Sequence, residues 1–127
     1  MIYGVGTDVV EIARIEQALA RFGERFARKI LCPPELARFN GHLLPANYLA
    51  KRFAAKEAFT KALGTGIRAP ANWHGVWVRN LPSGKPILEF SDSLRQLLSS
   101  RGVGSAHVSL TDERGVAMAT VILECEK

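Results

Sequence analysis

Cysteine is scarce in this chain, with only Cys32 and Cys125 among 127 residues. Two cysteines do not make a disulfide framework, and neither lies near another cysteine or a histidine at metal-ligand spacing. No stretch approaches the roughly 18 apolar residues that a membrane span needs. The N-terminus also lacks the basic region and apolar run of a secretion signal. We therefore expect a soluble, cytoplasmic protein with two unpaired thiols and no membrane partner.

Sequence motifs of several enzyme classes are missing as well: there is no P-loop, no zinc motif and no Ser-His-Asp order. Acidic residues are in deficit, with 12 Asp and Glu against 17 Lys and Arg and a net charge of +5. Most of this excess lies in residues 1–61, which hold ten basic and six acidic residues. A one-sided charge indicates an anionic partner, which the charge alone leaves open as nucleic acid, a phosphate-rich ligand or an acidic protein.

The length and the hydrophobic pattern predict one globular domain, residues 1–127. Hydrophobic residues make up 47% and charged residues 23%, which excludes a disordered chain. The pattern predicts strands over 2–6, 75–79, 86–90, 106–111 and 116–123, and helices from about Val10 to Gly23 and over 24–31, 35–39, 47–63 and 91–100. Helices and hairpins without regular βαβ alternation predict an α+β fold with a mainly antiparallel sheet.

Asp8 is the first candidate functional residue. It follows an apolar strand, within a glycine-rich stretch, directly before a predicted helix. One interpretation is an N-cap, since Asp is a preferred capping residue. The other is a carboxylate held at a strand end beside a helix N-terminus, where anion and metal chemistry is common.

Glu57 and Lys61 lie on the strongest predicted helix. Leu49, Phe53, Glu57 and Lys61 follow one another at i, i+4 spacing and share one side of that helix. Glu57 and Lys61 are therefore either an ordinary surface pair or part of a site. Two carboxylates, Asp8 and Glu57, with a lysine beside them suggest a Mg²⁺ site completed by the phosphates of a ligand.

His107 and a series of arginines are further candidates. His107 alternates with Val108 and so lies on the polar side of its strand, as a solvated histidine or as a phosphate contact. The arginines form one stripe if the first helix continues through Gly23; they are Arg14, Arg21, Arg25 and Arg28, edged by Phe22 and Phe26. This stripe is a solvated surface or a docking surface for an acidic helix.

Two segments carry a resemblance to a known family. They are Gly4-Val5-Gly6-Thr7-Asp8 and the stretch Arg52-Phe53-Ala54-Ala55-Lys56-Glu57-Ala58-Phe59-Thr60-Lys61. Together they resemble bacterial holo-[acyl-carrier-protein] synthases, the small type of 4′-phosphopantetheinyl transferase. The resemblance covers essentially the whole chain, and the pairing of the two motifs is highly specific.

The resemblance implies a reaction and a set of roles. The enzyme would move 4′-phosphopantetheine from coenzyme A to a serine of apo acyl carrier protein, leaving adenosine 3′,5′-bisphosphate, in support of fatty acid biosynthesis. Asp8 and Glu57 would bind Mg²⁺ with the coenzyme A diphosphate, and Lys61 would assist the leaving group. The serine proton would pass to Glu57 or to a metal-bound water.

Further roles and an assembly are implied in the same way. Arg52, Lys56 and His107 would hold phosphates of the nucleotide together with Lys61. Arg14, Arg21, Phe22 and Arg25 would dock the acidic carrier. The subunits would form homotrimers with active sites between them. The rival hypotheses are a small basic nucleic-acid-binding module and a non-catalytic interaction module; no exposed aromatic residues interleaved with basic ones support the first.

Overall fold

All 127 residues are described by a computed structural model, which contains five strands and five helices. In chain order these are β1 (Ile2–Glu11), α1 (Ile12–Phe22), α2 (Glu24–Ile30), α3 (Pro33–Asn40), α4 (Pro45–Leu63), β2 (Val76–Asn80), β3 (Pro86–Phe90), α5 (Asp92–Ser100), β4 (Val103–Glu113) and β5 (Val116–Cys125). The α+β class with antiparallel sheets is confirmed.

The main sheet has three antiparallel strands in the order β1-β5-β4. A tight turn joins β4 to β5, and its two residues, Arg114 and Gly115, both have positive φ values of 46° and 86°. Such a turn matches the twist of antiparallel strands and so sets the register of the hairpin. Strands β2 and β3 form a separate two-stranded hairpin.

Helix α4 lies directly on β1, and glycine makes this possible. A Cβ added at Gly4 would overlap the carbonyl oxygen of Ala62, and one added at Gly6 would overlap that of Ala58. The helix turns a surface of alanines toward the strand, with Ala58 fully buried and Ala62 nearly so. Small residues on both elements therefore allow the backbone of the helix to contact the strand.

The opposite face of the main sheet is not covered within one chain. It carries apolar side chains that remain partly exposed, such as Val5 at 54%, Val9 at 57% and Met118 at 38%. Strand β5 has two apolar faces: Ala117, Ala119, Val121 and Leu123 are buried, whereas Val116 and Met118 face outward. No helix is both long and apolar enough to cross a bilayer.

The predicted end of β1 is wrong. The strand continues through Glu11 instead of ending before Asp8, and Asp8 pairs with Ala119 in the middle of the β1–β5 ladder. Helix α1 then begins at Ile12 without an intervening loop. Asp8 therefore caps no helix; the carboxylate projects from a strand toward α4, on the same face as Gly4 and Gly6.

We predict that Gly6→Ala destabilises the fold strongly, because its Cβ would collide with the backbone of α4 rather than with a movable side chain. Overpacking of this kind costs about 3 kcal/mol, the upper part of the usual range. Thermal unfolding measures the loss. Gly41→Ala is the matched control, since nothing lies within 4 Å of a Cβ there. Equal melting temperatures for the two variants would contradict the prediction.

Candidate active site

Asp8, Glu57 and Lys61 line one cleft between β1, α1 and α4. The cleft has a volume of about 540 Å³. The other lining residues are Val9, Val10, Arg14, Ile15, Ala18, Phe26 and Phe53. The two carboxylates, distant in sequence, are thus brought to one place with the lysine, and an apolar wall adjoins them.

Two of the three charged side chains, Lys61 and Asp8, form an ion pair at the mouth of the cleft. Lys61 donates from Nζ to Oδ1 of Asp8 at 3.1 Å and to the carbonyl of Thr7 at 3.0 Å. The side chain of Lys61 is 53% exposed, whereas that of Asp8 is 17% exposed. The side chains predicted to share one side of α4 become more exposed toward the end of the helix. Leu49 is buried, and Lys61 is exposed.

Glu57 lies in an unfavourable environment for its negative charge. Burial raises the pKa of Glu57 above its ordinary value, and the nearby charge of Asp8 raises this pKa further. Lys61 acts in the opposite direction on the pKa, but its effect is the smallest of the three. A pair of carboxylates that destabilise each other's charge is a favourable place for a cation.

The residues present fit Mg²⁺ with a phosphate ligand better than a cage built of protein alone. No group of three or more His, Cys, Asp and Glu residues converges anywhere in the chain. Mg²⁺ is usually held by one or two carboxylates, with waters and substrate phosphates completing its coordination. Asp8 and Glu57 supply the two carboxylates that this arrangement requires.

Lys56 does not line the cleft, which corrects the prediction that it contacts phosphates. Its side chain is fully buried, and Nζ donates to Oε1 of Glu35 at 2.8 Å and to the carbonyls of Ile30 and Trp73 at 2.6 and 2.7 Å. All three N–H groups of the ammonium are therefore used inside the protein. No donor is left for a ligand.

Arg52 is buried as well, and the same correction applies. It is 4% exposed, donates to Oδ1 of Asn80 at 2.7 Å, and lies over the ring of Tyr48 at 4.0 Å. Burial lowers the pKa of its guanidinium. The burial of Lys56 and Arg52 was not predictable from local pattern, since basic side chains on a helix are normally exposed.

His107 is on the predicted side of β4 but not in the cleft of its own chain. Its register partner is Ile122, so it lies on the open face of the sheet, opposite the face that carries Asp8. Its Nε2 is 2.6 Å from Oε1 of Glu124, and the side chain is 56% exposed. A ligand in the cleft therefore meets His107 only if the histidine comes from another copy of the chain.

The predicted arginine stripe is divided. Gly23, with φ of 63°, ends α1, so a continuous helix through it is excluded. Arg14 lines the cleft beside Asp8, and Arg28 pairs with Glu24 at 3.3 Å. Arg21 lies 5.1 Å from the centre of the Phe22 ring.

A second cavity adjoins the cleft on the side of α2. It measures about 460 Å³ and is lined by Phe22, Arg25, Phe26 and Lys29. Phe26 lines both this cavity and the cleft. Lys29 and Phe53 were not predicted to line these cavities, although the position of Phe53 one turn before Glu57 was a usable signal.

Comparison with known proteins agrees with this geometry. Residues 4–121 match the family model described as the 4′-phosphopantetheinyl transferase superfamily. The chain belongs to this superfamily. Both site segments, around Asp8 and around Glu57, lie within the match.

Individual relatives of the transferase are similar over nearly their whole length. A holo-[acyl-carrier-protein] synthase of Pseudoalteromonas atlantica is 51% identical, with 97% of each chain covered. The crystal structure of the synthase from Neisseria meningitidis has a TM-score of 0.94 at 43% identity, covering 98% of this chain and 99% of that one. A synthase from Bacillus anthracis, solved in complex with CoA (3′,5′-ADP), has a TM-score of 0.83 at 35% identity and 99% coverage of both chains.

We predict that Asp8→Ala and Glu57→Ala each weaken binding of a divalent cation by at least tenfold, because each removes one of two carboxylate ligands. Mn²⁺ binding in the presence of adenosine 3′,5′-bisphosphate, followed by electron paramagnetic resonance, measures the change. Asp92→Ala is the control, since that exposed carboxylate lies on α5. Unchanged Mn²⁺ affinity in both cleft variants would exclude a metal site at this position.

Proposed function

We propose that this transferase is a holo-[acyl-carrier-protein] synthase that serves fatty acid biosynthesis in the cytoplasm. It transfers the 4′-phosphopantetheine group of coenzyme A to a serine of apo acyl carrier protein and releases adenosine 3′,5′-bisphosphate. The observation that carries the proposal is the meeting of Asp8, Glu57 and Lys61 in one cleft. A nucleic-acid-binding or non-catalytic module would account for the basic surface but not for this cleft.

The chemistry asks mainly for positioning and for neutralisation of charge. Asp8 and Glu57 would hold Mg²⁺, which would supply neutralisation of the charge on the diphosphate of coenzyme A. Lys61 supports the departing phosphate, since its half-exposed ammonium reaches the mouth of the cleft. Glu57 is a carboxylate of the cleft, so we propose it as an acceptor of the serine proton.

The acidic carrier docks on α1 and α2. Arg21, Phe22 and Arg25 present a charged rim around an apolar side chain, and Phe22 is 52% exposed. Arg14 lies between this surface and the cleft, where its charge acts on both substrates. Electrostatic complementarity of this kind favours orientation and rapid association of a charged partner.

A homotrimer accounts for two features of the single chain. The open face of the sheet keeps Val5, Val9 and Met118 partly exposed. His107 lies on this same face, so a neighbouring copy that covers it would bring a histidine toward the phosphates in the cleft. A ring closed by one repeated heterologous interface has this property.

The transfer assay tests the proposal directly. The protein is incubated with apo acyl carrier protein, coenzyme A and Mg²⁺, and the carrier is weighed by mass spectrometry. We expect a gain equal to the phosphopantetheine arm, and its loss in excess chelator. A carrier of unchanged mass would overturn the proposed function.

We predict that Lys61→Met lowers kcat more than it weakens coenzyme A binding, because its interaction with the departing phosphate grows in the transition state. Lys61→Arg should restore only part of the rate, since a planar guanidinium does not replace a point charge. Steady-state kinetics with both substrates measure the difference. A normal kcat with only a raised KM would assign Lys61 to binding alone.

We predict that Arg21→Glu raises the carrier KM by about ten- to a hundredfold, since it adds repulsion as well as removing attraction. The increase should shrink as salt rises, because the Debye length is only about 8 Å at physiological ionic strength. Arg95→Glu, on α5, makes the same change of net charge and is the control. Arg14→Glu should affect both substrates because Arg14 lines the cleft.

We predict that the protein sediments as a trimer and that two inactive variants complement each other. Asp8→Ala and His107→Ala subunits, refolded together, should regain activity at about a quarter of their sites if the two residues come from neighbouring copies. Each variant refolded alone is the control. Full activity in a sedimenting monomer would contradict the assembly.

A further inference from the structure

A buried ion pair lies behind the cleft, where the transfer chemistry does not use it. Lys56 and Glu35 are both fully buried, and their charged atoms are 2.8 Å apart. Lys56 is the residue directly before Glu57 on α4. Buried pairs of this kind are costly to desolvate, and they persist only where further hydrogen bonds satisfy both partners.

The pair satisfies backbone groups from several separate segments. Lys56 donates to the carbonyl of Ile30, at the end of α2, and to that of Trp73, in the segment before β2. Glu35 accepts from the N–H of Cys32, which caps α3, and from that of Val78, on β2. Four backbone groups, three of them in fully buried contacts, would therefore lose their partners if both side chains became apolar. The pair acts as a joint among α2, α3, α4 and β2.

Helix α2 is short, and this joint holds its C-terminal end. It has only seven residues, too few to be stable alone in water. Its buried side chains are Ala27 and Ile30, and the carbonyl of Ile30 is the group that Lys56 holds. The same helix carries Arg25 and Lys29, and its Phe26 forms part of both cavities.

Helix α4 is fixed independently of this joint. Its backbone at Ala58 and Ala62 lies against Gly6 and Gly4 of β1, and this contact sets Glu57 and Lys61 relative to Asp8. Loss of the ion pair would therefore move α2 and leave the three charged residues of the cleft in place.

We propose that the buried Lys56–Glu35 pair is a positioning device. It holds α2, which carries part of the docking surface for the carrier, in place relative to Glu57 and Lys61 on α4. The proposal rests on the proposed function for the identity of the docked partner. Neither residue touches substrate, so both act through Phe26 and its neighbours on α2.

Kinetics of Lys56→Met and Glu35→Gln test this. We expect the carrier KM to rise about tenfold in each, while the affinity for coenzyme A with Mg²⁺, measured by calorimetry, stays within twofold. The double variant should raise the carrier KM no further than the more severe single variant, because the two residues act as a unit. A purely structural role would lower the active fraction and leave the KM of both substrates unchanged.

Leu94→Ala is the matched control. Leu94 is fully buried on α5, which contributes nothing to the cleft, so its truncation destabilises the protein without reaching α2. The control should lower the melting temperature and keep a normal carrier KM. An equal rise of the carrier KM in Leu94→Ala would overturn the proposal, since any loss of stability would then produce the effect.

Hydrogen exchange supplies a measurement that needs neither catalysis nor a variant. In the wild type at low denaturant, the amides of α2 and those around Trp73 should open together, before those of α4 and β1. Opening of α2 without the Trp73 segment would overturn the proposal. Absence of any transfer by the wild type would refute the proposed function instead and would leave this exchange pattern as expected.

Discussion

The contact of α4 with β1 is the constraint on which the site depends. Gly4 and Gly6 have no side chains, so the helix backbone at Ala62 and Ala58 touches the strand. Those two alanines directly follow Lys61 and Glu57, and Asp8 is the next residue on the same face of the strand after Gly6. The helix and the strand are thus in backbone contact next to the charged residues of the site. This backbone contact, rather than side-chain packing, sets the distance between the two carboxylates.

Two kinds of positive charge on α4 have different surroundings and different consequences. Lys61 is half exposed and its partner, Asp8, lies at the mouth of the cleft. Lys56 is fully buried, and a carboxylate and two carbonyls compensate its charge. Arg52 is buried with an amide oxygen and an aromatic ring as neighbours. Solvation, rather than residue type, therefore separates the charge available to a ligand from the charges that hold the fold together.

Much of the fold could be predicted from the sequence, because helical periodicity and the turn residues are local signals. The end of β1 could not, since the glycines before Asp8 are typical of a turn and equally of close backbone contact. Only pairing with β5 distinguishes the two. The burial of Lys56 could not be predicted for a related reason. Helix α4 is covered on nearly all sides, so its sequence shows no distinct polar face from which exposed positions could be inferred. The predicted site residues that the structure brings together are Asp8, Glu57 and Lys61, with Arg14 beside them.

Phe26 belongs to the walls of two cavities at once. A change in the orientation of this ring would alter the shape of both cavities. If a ligand in one cavity favoured one orientation, binding in the two cavities would be linked through a single side chain. Such linkage is reciprocal, so whatever factor one ligand imposed on the affinity of the second, the second would impose on the first. No domain would have to move for this linkage, because the shared wall is one residue.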